Sequence, residues 1–337
     1  MRVALDATPL TVTTGGIRRY VAELSRALAA AYPEDEYRLL SDQPFEPPCG
    51  LSRGSGPRNA LDRRWWLWGI ERRNDYDVFH GTDFSVPYLA RRPSVLTLHD
   101  LAPWMGNGNG RVRARTPWLL GLGLATMVIT CSQAVRAEAI ERFRIHPARV
   151  VAVPLAAAGE FRPARTQPAR PYFFYAGSRE PRKNVAALAG AWRELRREFE
   201  VELLLAGRGG GSMPEPGLRE LGEVSDAELA GLYSGAVAVV YPSTYEGFGL
   251  PVLEAMQSGA CVIAGRAAAV EEAAGGAAVI VDSGRALAAA MRQALIDPGW
   301  AAGWREKGLA RARQFSWERT AALTRAVYVE ARRRFHS

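Results

Sequence analysis

Residues 241–264, YPSTYEGFGLPVLEAMQSGACVIA, leave few choices of fold. The apolar run at 236–241 is short and valine-rich enough to be a buried strand. Gly247 and Gly249 follow it, then apolar residues at 250, 252, 253 and 256. Pro251 suits the first turn of a helix and Gly259 its C-terminal stop. A second apolar run at 261–264 reads as the next strand. The unit is strand, glycine loop, short helix, strand. In an open parallel α/β sheet such a loop, at the carboxyl end of a strand, is where ligands bind.

Two carboxylates frame that loop. Glu246 precedes the glycines, and Glu254 lies about one turn into the helix. Both can face one crevice, and between them the N–H groups of Gly247, Phe248, Gly249 and Leu250 can point at an anion or at hydroxyls. A carboxylate, an acceptor with two oxygens, suits the paired hydroxyls of a sugar. Either glutamate alone reads as a solvated loop residue or as a charge favoured by the helix dipole. The pair, set around two glycines and a phenylalanine, points to a ligand.

The stretch EGFGLPVLEAM closely resembles the retaining GT-B glycosyltransferases of family 4 (glycosyl transferases group 1). The similarity continues through YAGSREPRKNVAALAGAW, LLLAG, LGEVSDAELAGLYSGAVAVVYPS and RARQFSWERTAALTRAVY, over nearly all of 170–330. The first half is similar more loosely, at Asp6 with the Gly15-Gly16 turn and at VLTLHD and VITCSQAV. The resemblance implies an α/β fold of two Rossmann-like, doubly wound domains facing across a cleft, with a C-terminal helix crossing back to the first. Expected boundaries are 1–160 for the acceptor domain, 161–315 for the nucleotide-sugar domain and 316–337 for the crossing helix. The implied activity is retaining transfer of a hexose from a nucleotide diphosphate sugar to an acceptor hydroxyl.

Arg179, Arg182 and Lys183 cluster just before a helix predicted from residue 185, with Asn184 placed to cap it. A diphosphate there would meet both cationic side chains and the helix dipole. Singly these are ordinary surface charges, but Lys183 is one of only two lysines in the chain. The resemblance assigns Arg182, Lys183, Gly15, Gly16, Gly249 and Leu250 to the donor diphosphate. It assigns Glu246, Gly247 and Phe248 to the donor sugar, and Glu254, Gly207 and Val224 to ribose and base. Many relatives carry arginine where Ser178 stands, so Arg179 is a weaker candidate. His99, in the LHD context, and Glu246 are the catalytic candidates; His80, also at a strand end, stays undecided. Cationic side chains at the diphosphate make a metal unnecessary. No cofactor is expected beyond the donor. The segments GGIRRY, VLTLHD and EPRKN are similar to bacterial mannosyl- and rhamnosyltransferases of surface polysaccharide assembly. They point first to GDP-mannose as donor and to a glycan or lipid-linked acceptor.

Competing classes fare worse. A nicotinamide oxidoreductase would carry GxGxxG at a strand-to-helix turn, and none occurs. A catalytically silent nucleotide-sugar or glycan-binding member would have little use for an intact glutamate pair beside Arg-Lys. An inverting relative, such as a sugar-nucleotide epimerase, is left to product stereochemistry.

At 337 residues the chain can build two full cores. The net charge of +8 is almost entirely arginine, in an alanine-rich chain whose composition suggests GC-rich coding rather than a nucleic-acid partner. Three scattered cysteines fit neither a disulfide framework nor a zinc site, and a reducing cytoplasm is expected. Met1 runs directly into a strand, so no leader is expected, and the apolar stretch 117–131 is broken by glycines. LDRRWWLWGIERR, at 61–73, reads either as a helix burying its tryptophans in the fold or as one lying on the inner membrane surface. NGNGRVRAR, within 104–115, reads as a flexible basic loop. The Pro-, Ala- and Arg-rich segment 155–170 reads as the interdomain linker.

Overall fold

The computed structural model describes residues 1–11, 15–48, 51–57, 61, 66–89, 91–106, 110–209 and 215–335. The chain divides into two compact units: Met1–Leu155 with Ser316–Ser337, and Ala156–Phe315.

In the first unit the described strands are β1 Arg2–Asp6, β2 Glu36–Leu40, β3 Ser52–Arg53, β4 Val78–Gly81, β5 Ser94–Leu98, β6 Met127–Thr130 and β7 Val150–Ala152. They form a parallel sheet in the order β3-β2-β1-β4-β5-β6-β7. Strands β4, β5 and β6 are buried along their whole length. That burial is why they read as unbroken apolar runs rather than alternating ones. Before the last helix, the described helices of this unit are α1 Gly16–Ala31, α2 Trp66–Arg73, α3 Gly110–Gly121 and α4 Gln133–Phe143. The second unit repeats the plan with β8 Tyr172–Ala176, β9 Glu202–Ala206, β10 Leu218–Gly222, β11 Ala238–Tyr241, β12 Val262–Gly265 and β13 Val279–Val281, ordered β10-β9-β8-β11-β12-β13. Its helices are α5 Val185–Leu195, α6 Asp226–Gly235, α7 Leu250–Gln257, α8 Ala268–Ala274, α9 Gly284–Ile296 and α10 Pro298–Ala312.

Each sheet thus starts at its centre and winds outward in both directions. The winding reverses beside the first strand, between β1 and β4 in one sheet and between β8 and β11 in the other. Such reversals leave a crevice at the carboxyl ends of the strands. With the closing helix α11, Trp317–Phe335, this is the two-domain GT-B architecture expected from the sequence.

Helix α11 belongs to the first unit, where it packs on α1. Ser316 caps it, accepting from the Arg319 N–H at 3.2 Å. Trp317, Ala321, Val327, Tyr328 and Ala331 are buried beneath it, and a side chain such as Val327 contributes about 1.5–3 kcal/mol by leaving water. Arg325 pairs with Asp35 at 2.6 Å, and Asp35 also holds the N-terminal ammonium at 2.7 Å. Tyr328 donates to or accepts from His80 Nδ1 at 2.7 Å, beneath the first sheet's centre.

Several local expectations need correction. Residues 110–115, read as loop, instead open α3, because Thr116, Leu119 and Leu120 further along it are buried. Asn184 does precede α5, but its backbone is left-handed at φ 53° and its side chain makes no cap. Of the supposed linker, Ala156, Ala157, Ala158 and Phe161 are buried in the second unit. Trp66 is buried whereas Trp68 is exposed; Trp65, Cys49 and residues 107–109 and 210–211 lie outside the described residues.

Candidate active site

The second unit brings three of the expected site side chains into direct contact. Strands β8 and β11 are parallel neighbours, so the loops leaving their carboxyl ends lie side by side. The first loop closes in a short 3-10 turn at Pro181–Lys183, and the second carries residues 242–249 toward α7. Thr244 N–H donates to the Arg182 carbonyl at 2.9 Å and ties the loops together. Lys183, 7% exposed, donates to Glu246 Oε1 at 2.6 Å and to the Tyr241 hydroxyl at 2.8 Å. Arg182 Nη1 reaches Glu246 Oε2 at 3.3 Å and the Tyr245 carbonyl at 3.0 Å. The Ser243 hydroxyl donates to Glu246 Oε1 at 2.5 Å.

Glu246 therefore sits in a cradle of two cations and a hydroxyl. Burial pushes the Lys183 ammonium below its ordinary value, Glu246 pulls it back up, and neighbouring Arg182 lowers it again. A negative charge placed beside this ammonium would favour its charged form, as Glu246 does. Two of the three Lys183 N–H bonds point at Glu246 and Tyr241. Beneath the cluster Tyr175 stacks on Tyr241 with centroids 6.0 Å apart, and burial drives the Tyr241 hydroxyl well above its usual range, keeping it a neutral partner.

The other candidates are placed as follows. Gly249, the residue before α7, has φ 96°, and a Cβ there would lie 3.2 Å from Val270 Cγ2. It is a left-handed position that glycine fills without cost, and it brings the amino end of α7, at Leu250, onto the loop. The Phe248 side chain turns inward, edge-on to Phe315 at 5.9 Å, so it can offer a ligand only its backbone. Glu254 is 1% exposed and accepts from the Tyr233 hydroxyl at 3.5 Å, a partner outside the Lys183 cluster. Gly207 packs against the loop after β8, where a Cβ would meet the Gly177 carbonyl at 2.3 Å. Val224 borders a groove of about 850 Å³ with Leu204, Leu221 and Leu232. Arg179 turns away to Glu220 at 2.8 Å.

In the first unit Gly15 and Gly16 open α1, and among the described residues nothing lies within 4 Å of where a Cβ would stand on either. His99 Nε2–H donates to the Thr82 carbonyl at 2.7 Å, which leaves Nδ1 as the acceptor facing Cys131 Sγ at 3.5 Å. His80 is fully buried between Thr97 Oγ1 at 2.8 Å and Tyr328, and burial holds it down at about 3. It is a structural group. Asp6 ends β1 nearby, its carboxyl pushed up to about 6 by burial against a hydrogen bond from Thr8.

Sequence reasoning missed Tyr241 and Ser243, the groups that position Lys183 and Glu246. The signal was present in YPS, since a hydroxyl three residues before a loop glutamate can reach its carboxylate.

Comparison with known proteins settles the family. Residues 170–297 match the family described as Glycosyl transferases group 1, and residues 14–158 match Glycosyltransferase Family 4. Over 97% of this chain and 99% of its own length, the O-antigen chain mannosyltransferase B of Escherichia coli is 30% identical. This chain is a family 4 glycosyltransferase. The MMP alpha-(1->4)-mannosyltransferase of Mycolicibacterium hassiacum is 31% identical over 98% of both chains. Among solved structures, sucrose-phosphate synthase from Thermosynechococcus elongatus superposes with a TM-score of 0.76 at 22% identity, covering 98% of each chain. Anabaena HepE in complex with UDP-glucose gives 0.74 at 18% identity, over 96% of this chain and 99% of its own. These two share the fold. The glycosyltransferase therefore transfers a sugar from a nucleotide-sugar donor. Among the described residues no helix is long and apolar enough to cross a membrane.

Proposed function

We propose that this glycosyltransferase moves a mannosyl group from GDP-mannose to a hydroxyl of a surface glycan or lipid-linked acceptor, with retention at the anomeric carbon. The observation that carries the donor site is the contact of Lys183, Arg182 and Glu246 at the point where the second sheet reverses its winding. The mannosyl assignment is supported by the two mannosyltransferases that align over nearly the whole chain.

In this reading Arg182 and Lys183 hold the diphosphate, helped by the backbone at Gly249 and Leu250. As the bond from the anomeric carbon to the phosphate oxygen breaks, its electron pair moves onto that oxygen. Cations already fixed in a buried site stabilise the growing charge more than water would, by several kcal/mol in comparable sites. Glu246 and the backbone of Gly247 and Phe248 hold sugar hydroxyls. Glu254 takes the ribose, with Gly207 and Val224 near the base. In the first unit His99, its ring fixed by Thr82, is the catalytic candidate. The acceptor oxygen bonds to the anomeric carbon on the face the phosphate leaves, and its proton passes to the departing phosphate oxygen. No covalent sugar–protein intermediate is needed.

Thermal-shift measurements with GDP-, UDP- and dTDP-sugars test the donor, and the anomeric configuration of the product tests the course. GDP-mannose should raise the melting temperature most and yield an α-linked product. Selective stabilisation by another base, or an inverted product, refutes the assignment.

A further inference from the structure

The first unit carries an exposed aromatic ladder that none of the donor assignments uses. Trp68 on α2 is 41% exposed and Trp118 on α3 is 46% exposed. Tyr88 stands between them, its ring 5.3 Å from Trp68 and 5.9 Å from Trp118, edge-on in both cases. The ladder is fixed in place: Tyr88 N–H donates to the Leu67 carbonyl at 3.0 Å, and Trp66 and Ile70 anchor the opposite side of α2 in the core. One turn beyond Trp118, Leu122 is 60% exposed. On the 3.6-residue period, Arg111, Trp118 and Leu122 share one face of α3. Arg111 and Arg91, three residues beyond Tyr88, are exposed, and 110–122 contains three arginines and no acidic residue.

Two indoles and a leucine held in water form an apolar patch of the kind that marks a binding surface. The geometry points to a peripheral docking face for a lipid bilayer with anionic headgroups. Tryptophan and tyrosine, apolar bodies with a polar handle, concentrate at the headgroup level of membranes, and flanking arginines meet anionic lipid. A glycan would prefer an open ring face, whereas these rings meet edge to face and are continued by an aliphatic side chain that offers a sugar nothing. The surface fits an acceptor that is itself anchored in lipid.

Vesicle flotation tests this without any turnover, so its failure and failure of the glycosyltransferase reading are distinguishable. The full chain should float with vesicles of phosphatidylcholine and phosphatidylglycerol, less with phosphatidylcholine alone, and less at high salt. Replacing both tryptophans, Trp68→Ser with Trp118→Ser, should weaken partitioning by about tenfold or more. Leu122→Ser, at a site too exposed to affect folding, should weaken it severalfold by itself. Three results would overturn the proposal: no flotation of the wild type, equal flotation of the Leu122→Ser variant, or a dimer in solution that both substitutions dissolve. So would protection of the indoles by a mannose oligosaccharide when vesicles fail to bind.

Discussion

Acidification should expose how His80 is held. Its ring is completely buried, with Thr97 and Tyr328 as close partners and Tyr20 farther off. Burial holds it near 3, against about 6.5 for a free histidine. The unfolded chain therefore takes up a proton below pH ~6.5 that the native ring refuses until about pH 3. The stability His80 contributes is complete above the unfolded value and is lost as pH falls toward the native one. At about 1.4 kcal/mol per pH unit, two units of acidification cost about 3 kcal/mol. Asp6 works in the opposite sense. Its carboxyl is raised to about 6, so its contribution is full below the ordinary carboxylate value and disappears as pH rises through 6. The wild-type curve alone can therefore look flat between pH 4 and 6. The difference between wild type and His80→Gln isolates the histidine, because glutamine keeps a donor and an acceptor without titrating there. Urea unfolding followed by tryptophan fluorescence should show the wild type losing about 3 kcal/mol relative to the variant between pH 6.5 and 4.5. Parallel curves would refute the reasoning.

Other expectations follow from the same contacts. Glu246→Gln removes the carboxylate between Lys183 and Arg182 and should lower turnover by about a hundredfold while leaving donor affinity within a fewfold, as steady-state rates with GDP-mannose would show. Glu254→Ala should weaken nucleotide binding about tenfold and, by leaving the buried Tyr233 hydroxyl without this acceptor, destabilise the fold by about 1–3 kcal/mol; Glu254→Gln should restore the stability but not the binding. In Gly81→Ala the added methyl would lie 1.5 Å from the Ser85 carbonyl, within the turn whose Thr82 carbonyl holds His99. Thermal unfolding should show a loss of about 4 kcal/mol or more, and activity should fall further than folding alone explains.

The fold was legible because buried parallel strands write themselves as apolar runs, and YFFYA at β8 or SVLTL at β5 could hardly be anything else. Helix α3 was not legible, since the glycines before it and Pro117 within it read as breakers while Leu119 and Leu120, buried by tertiary packing, decide the outcome. Helix α10 was hidden by three glycines. One of them, Gly308, lets it approach α7, where a Cβ would come within 3.2 Å of Met256. At the site, the sequence named Lys183, Arg182 and Glu246 as separate features. Only the pairing of β8 with β11 shows why residues more than sixty positions apart become one ion cluster. The supporting Tyr241 and Ser243 escaped notice because a hydroxyl beside a strand end has many ordinary uses.

Calorimetric titration of the donor into wild type and Lys183→Met tests the central claim most directly. The cradle of Lys183, Arg182 and Glu246 is taken to be where the diphosphate is held, so a folded Lys183→Met protein should bind GDP and GDP-mannose more than about tenfold more weakly, with the melting temperature measured alongside. Undiminished affinity in that variant would contradict the account and move the donor elsewhere.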